Sequence, residues 1–75
     1  MSQIEKLIEA IKRAKVDVRF VDLEQLLVHC GYINVRQAGS HIHFRKEGSS
    51  FVTIPVHNHK VRIVYVKEIL KLLDI

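Results

Sequence analysis

Residues 33 to 56 read INVRQAGSHIHFRKEGSSFVTIPV, and the period of this stretch decides the fold. Before it, apolar residues recur every three or four positions; within it they recur every second position, the mark of half-buried strands. In HIHFRK, Ile42 and Phe44 point inward, while His41, His43 and Arg45 point outward. In FVTIPV, Val52, Ile54 and Val56 face in, leaving Thr53 and Pro55 out. In YINVRQ, Ile33 and Val35 point one way and Tyr32, Asn34 and Arg36 the other. Gln37-Ala38-Gly39-Ser40 supplies the first reversal and EGSS the second. Pro55 cannot donate a ladder hydrogen bond, so the third strand belongs at an edge or ends near it.

The flanks are helical. Ile4, Leu7, Ile8 and Ile11 form the apolar stripe of an amphipathic helix over residues 3 to 14, and Ser2 with Glu5 has the form of a capping box. Val16 to Phe20 is a connector. Leu23, Leu26, Leu27 and Cys30 repeat the helical spacing, with Asp22 as the expected N-cap and Gly31 as the left-handed residue that stops the helix. After a polar loop at residues 57 to 60, Val66, Ile69, Leu70 and Leu73 define a last helix. The expected fold is therefore α+β, in the order α-α-β-β-β-α, with a three-stranded antiparallel sheet whose apolar face is covered by helices. Its other face stays wet and carries Arg36, His41, His43, Arg45 and Thr53, with His57 at the rim.

The 75 residues allow one domain, and a chain this short hides only about 60% of its unfolded surface. Hydrophobic content of 48% argues against disorder. No stretch approaches the roughly 18 apolar residues of a membrane helix, and the acids in MSQIEKLIEAIKRAK argue against a signal peptide. A lone cysteine, Cys30, suits a reducing cytoplasm and reads as a small core residue. The net charge of +4 is localised. Acids and bases cancel in residues 1 to 35 and again in 63 to 75. The excess lies in residues 36 to 62, where Arg36, Arg45, Lys46, Lys60 and Arg62 face Glu47 alone, together with His41, His43, His57 and His59. Such a stretch suits a polyanion, nucleic acid above all.

Arg36-Gln37-Ala38-Gly39-Ser40-His41, then Ile42-His43-Phe44, then Val52-Thr53-Ile54-Pro55-Val56-His57, closed by KEILKLL, resembles the HicA toxin family. The likeness runs from about Val18 to Leu73. It implies a fold like a double-stranded-RNA-binding domain and ribonuclease activity on mRNA, with neutralisation by a HicB-type antitoxin. It makes Gly39-Ser40-His41 the catalytic motif and His41 the catalytic histidine. Arg36, Gly39, Ser40, His43, Arg45, Lys46, His57 and Lys60 are then the expected phosphate- or RNA-binding residues, with no cofactor and no metal. Residues 1 to 16 are an extra helix and connector on a core of residues 17 to 75. A second departure is KVRIVYVKEIL, where the family leads one to expect a more polar helix start.

The chemistry also stands on the residues themselves. Metal-free RNA cleavage by the 2′-hydroxyl needs a base near neutrality, a proton for the leaving oxygen and positive charge at phosphorus. Histidine can serve either proton role, and an arginine fork suits the phosphate. Gly39 can let a backbone approach closely. A rival arrangement sets His41, His43, His57 and His59 around one zinc, although no outward carboxylate or cysteine joins them and arginines lie close by. A rival function is an RNA-binding module without catalysis. His29 reads as structural, and Tyr32 either stacks on a base or covers the sheet edge.

Overall fold

The computed structural model describes residues 2–49 and 51–75. Helix α1 (Gln3–Arg13) opens with the expected cap: Ser2 Oγ accepts from the Glu5 amide at 3.2 Å. A short strand β1 (Val18–Arg19) leads into α2 (Phe20–His29). Strands β2 (Ile33–Ala38), β3 (His41–Arg45) and β4 (Val52–Pro55) form an antiparallel sheet in the order β2-β3-β4. Strand β5 (Lys60–Val61) and helix α3 (Ile63–Leu73) complete the chain. The architecture is α+β, three helices with a three-stranded antiparallel sheet, as expected. Pro55 does lie on an edge strand. Residue 50, in the second expected reversal, lies outside the described residues.

One core holds these elements together. Phe44, Leu23, Leu26, Leu27, Ile54, Val61 and Val66 are fully buried, and Ile11, Ile42, Val52, Ile69 and Leu70 join them. Each large apolar side chain so buried contributes about 1.5–3 kcal/mol. Phe44 is the hub of the sheet side, with its ring centroid 6.1 Å from that of Phe20 on α2. Cys30 packs half-buried against this core.

Three local expectations are corrected. The connector at residues 16–20 is partly a strand, because Val18 and Arg19 pair with Val61 and Lys60. That pairing moves the start of α2 forward. The Phe20 amide donates to the His59 carbonyl at 2.8 Å, so the helix begins at Phe20 with Arg19 as N-cap. Asp22 sits instead in the first turn, where both carboxylate oxygens accept from the Arg19 guanidinium at 3.1 Å. Residues 57–60 are likewise more than a polar loop. His57 and Lys60 exchange backbone hydrogen bonds at 2.9 and 3.0 Å around Asn58 and His59, which have φ of 51° and 64°. Two positive φ values in a two-residue hairpin loop are the mark of a type I′ turn.

The third correction concerns β2. The ladder shifts between Asn34 and Arg36, leaving Val35 as an extra residue in a bulge. Directly opposed residues share a face, so Ile33 stands outward with Arg45 and Asn34 inward with Phe44. Ile33 and Val35 are exposed rather than core. Tyr32 is only 4% exposed and so is not open to stack on a base. The C-terminus of α2 behaves as read. Gly31 has φ +97°, its amide donates to the Val28 carbonyl, and Tyr32 donates to that of Leu27, a Schellman closure.

Helix α3 has no side-chain cap from its own N-cap residue, Arg62. Asp17 supplies one from 46 residues away, its Oδ1 accepting from the Ile63 amide at 3.3 Å. A carboxylate there also opposes the positive end of the helix dipole. Replacing Asp17 with alanine is expected to cost about 1 kcal/mol. That corresponds to a Tm lower by roughly 4–8 °C in a domain of this size, read by thermal circular dichroism.

Candidate functional site

The outer face of the sheet is built by register. Strand β3 runs through its middle, with His41, His43 and Arg45 outward because Ile42 and Phe44 are buried on the other side. His43 lies opposite Arg36 on one flank and Thr53 on the other, so Arg36, His43 and Thr53 form a transverse row. His43 Nδ1 and Thr53 Oγ1 are hydrogen-bonded at 2.9 Å, which fixes the imidazole on its strand. The next row is Ala38, His41 and Pro55, beside the hairpin loop. The row on the other side pairs Ile33 with Arg45, and the Arg45 guanidinium lies over the Phe51 ring, 5.7 Å from its centroid. The acid nearest this face is Glu47, one alternation beyond Arg45, which lines a cleft with Ile33, Val35 and Arg45. Among the described residues neither Arg36 nor Arg45 enters a salt bridge.

The hairpin loop between β2 and β3 is Gly39-Ser40, closed by Ala38 and His41, one residue later than the expected reversal. Gly39 has φ +61° at the first central position, where hairpins of the type II′ class require glycine. A side-chain carbon placed there would meet nothing within 4 Å, so conformation and not crowding demands the glycine. Gln37 Nε2 donates to the Gly39 carbonyl at 3.3 Å and steadies the turn. Ser40 accepts from the Val56 amide through its backbone carbonyl at 2.7 Å, which continues the β3–β4 ladder past the strands. Two residues past Pro55, His57 leaves this ladder and pairs with Lys60.

Not every expected residue joins this face. Lys46 falls opposite Tyr32 on the inner side, its Nζ 5.8 Å from the Tyr32 ring centroid. Its aliphatic stem lies against Gly31. Lys60 is opposite Arg19 in the small β1–β5 pair and bridges to His57, so it is not on the three-stranded sheet itself. Two further residues stand close to this face without being among the expected RNA-binding residues. His59, held at the type I′ turn, lines a cleft of about 510 Å³ with Gln37, Ser40 and Asn58. Phe51 is 62% exposed and lines a cavity of about 340 Å³ with Val35, Arg36 and His43. Strand alternation already put Phe51 outward with Thr53 and Pro55; the turn at His59 needed an Asn-X signal read as a hairpin. Among the described residues no three His, Cys, Asp or Glu side chains gather as a metal set, so the four histidines do not form the zinc arrangement.

Residues 21–75 match the model of the family described as the HicA toxin of bacterial toxin–antitoxin pairs. The chain belongs to the HicA toxin family. It is thus a toxin of that class, and the family implies a cognate antitoxin. No curated protein and no solved structure matches the chain. The matched segment begins inside α2 and contains the whole outer face, whereas α1 and β1 precede it. Among the described residues no helix is long and apolar enough to cross a membrane.

The turn that carries His59 gives a stability test. A non-glycine residue at positive φ costs about 1–2 kcal/mol, and Asn-Gly is the favoured pair in this loop type. His59→Gly is therefore expected to raise stability by about 0.5–1 kcal/mol after glycine's added unfolded-state entropy is subtracted. A higher midpoint in urea with an unchanged slope is the readout.

Proposed function

We propose that this HicA-family toxin is an endoribonuclease that cleaves mRNA without a metal ion and is neutralised by a HicB-type antitoxin in the cytoplasm. The observation that carries this reading is the position of His41. It is the first residue after a glycine-dependent hairpin loop, exposed on a sheet face beside two arginine-bearing rows and the loop backbone. In that setting His41 acts as general acid or base at the 2′-hydroxyl or the leaving 5′-oxygen. Arg36 and Arg45 hold the phosphate and offset charge that develops at phosphorus. Gly39 and Ser40 offer open backbone at the turn. His43, held by Thr53, or His57, two residues past the end of β4, supplies the second proton transfer.

Incubation with single-stranded RNA in EDTA tests the reaction. Wild type is expected to cleave, and His41→Ala to lose a factor on the order of 10² to 10⁴. His43→Ala should stay within a few-fold of wild type. A His43→Ala protein as inactive as His41→Ala, with native circular dichroism, would reverse their roles. Binding without cleavage by wild type would instead identify a non-catalytic RNA-binding module.

Salt dependence tests the phosphate contacts. Lys46 and Lys60 lie elsewhere, so the outer face offers two permanent cations, Arg36 and Arg45. Two phosphate contacts on a single strand predict that log affinity falls with log salt at a slope of about −1.4. A slope twice as steep would show that RNA also runs over the Arg19–Lys60 side. The antitoxin is expected to cover the face carrying His41, so its complex should cleave far more slowly than the free chain.

A further inference from the structure

The outer face contains more apolar surface than a solvated sheet face requires. Ile33 is 61% exposed, Val35 45% and Phe51 62%, and all three lie beside Arg36, His43 and Arg45. Val35 is there because the bulge sets it apart from the ladder. Phe51 is there by alternation, just ahead of β4, with Arg45 over its ring. Between Val35 and Phe51 the surface sinks into a cavity of about 340 Å³ whose other walls are Arg36 and His43. An apolar wall, an aromatic wall and two nitrogen-bearing side chains suit one flat, polar-edged ring carrying an anionic backbone.

We propose that this cavity is a nucleobase subsite, in which an unpaired base of single-stranded RNA stacks on Phe51 against Val35 while Arg36 and Arg45 hold its flanking phosphates. The inference rests on the ribonuclease reading above and adds a positioning residue to it. Stacking is tolerant of base identity and works only on unpaired strands, because a duplex keeps its base faces occupied. Specificity for single strands then follows from Phe51, and any base preference from the Arg36 and His43 edges. The subsite also sets the register of cleavage. His43 borders the cavity and lies one pleat repeat, about 6.5–7 Å, from His41. A base seated on Phe51 therefore anchors the strand close to the catalytic histidine. A paired RNA or a flat protein surface would leave the cavity empty.

The test uses the full chain carrying His41→Ala, so that RNA remains intact. Two probes of equal length and charge are compared by fluorescence anisotropy: a single-stranded oligoribonucleotide and an abasic ribose-phosphate oligomer. The base-bearing probe is expected to bind more tightly, and adding Phe51→Ala should weaken it about tenfold while leaving the abasic probe unchanged. Phe51→Trp should keep the preference. Because the chain has no native tryptophan, its fluorescence then reports stacking directly, quenched by the base-bearing probe and not by the abasic one. Unchanged affinity of Phe51→Ala for the base-bearing probe would overturn the subsite and leave the ribonuclease reading intact if wild type still cleaves. Failure of the wild-type chain both to bind and to cleave RNA would overturn both. Loss of antitoxin capture by Phe51→Ala, with RNA affinity retained, would overturn the subsite in favour of a protein-docking face.

Discussion

Everything on the outer face depends on the burial of Phe44. Its side chain is fully enclosed between the sheet and the helices, with Phe20 beside it and Ile54 and Leu23 in the same core. Strand side chains alternate with a period of two, so a slip of β3 by one residue would drive His43 or Arg45 into that core and expose Phe44. Replacing a buried phenylalanine by alanine costs about 3–5 kcal/mol, while burying an unpaired charge costs still more. The energy that holds the fold thus also fixes which way His41, His43 and Arg45 point. Fold and candidate site are two sides of one strand.

The bulge at Val35 does the same for β2, by a different route. Regular alternation from Tyr32 would carry Arg36 inward along with Asn34. One extra residue restores Arg36 to the face that holds His43 while Tyr32 stays buried under the Lys46 stem. Bulges bend and twist the strand that bears them, and here the bend leaves Val35 beside the cavity shared with Phe51. A regular β2 would bury Tyr32 or present Arg36, but not both.

The legibility of the sequence follows from how local each determinant is. The helices α1 and α3, the β3 alternation and the edge position of Pro55 were readable because each depends on a few neighbours in the chain. The Schellman closure at Gly31 was readable for the same reason. What could not be read was set by partners distant in sequence. The strand at Val18 exists because Lys60 and Val61 arrive beside it, and the early start of α2 follows from the His59 carbonyl accepting from Phe20. Charge alone groups Lys46 with the outer cations, whereas its register opposite Tyr32 turns it inward. His41, by contrast, was placed on the open face by the sequence, since both the loop before it and the alternation after it are local.

The segment outside the family match is joined to the remainder through contacts of the same long-range kind. Asp17 caps α3, whose own start is apolar apart from Arg62, and Ile11 of α1 is buried in the common core. The apolar KVRIVYVKEIL start therefore has a structural partner in Asp17, just ahead of β1. A helix that begins without a side-chain cap leaves its first amides unsatisfied, and Asp17 meets one of them from the connector between α1 and β1. The outer face, built from β2, β3 and the residues around β4, lies wholly within residues 21–75, so the segment that matches the family carries all of the candidate chemistry and the N-terminal segment serves the core beneath it.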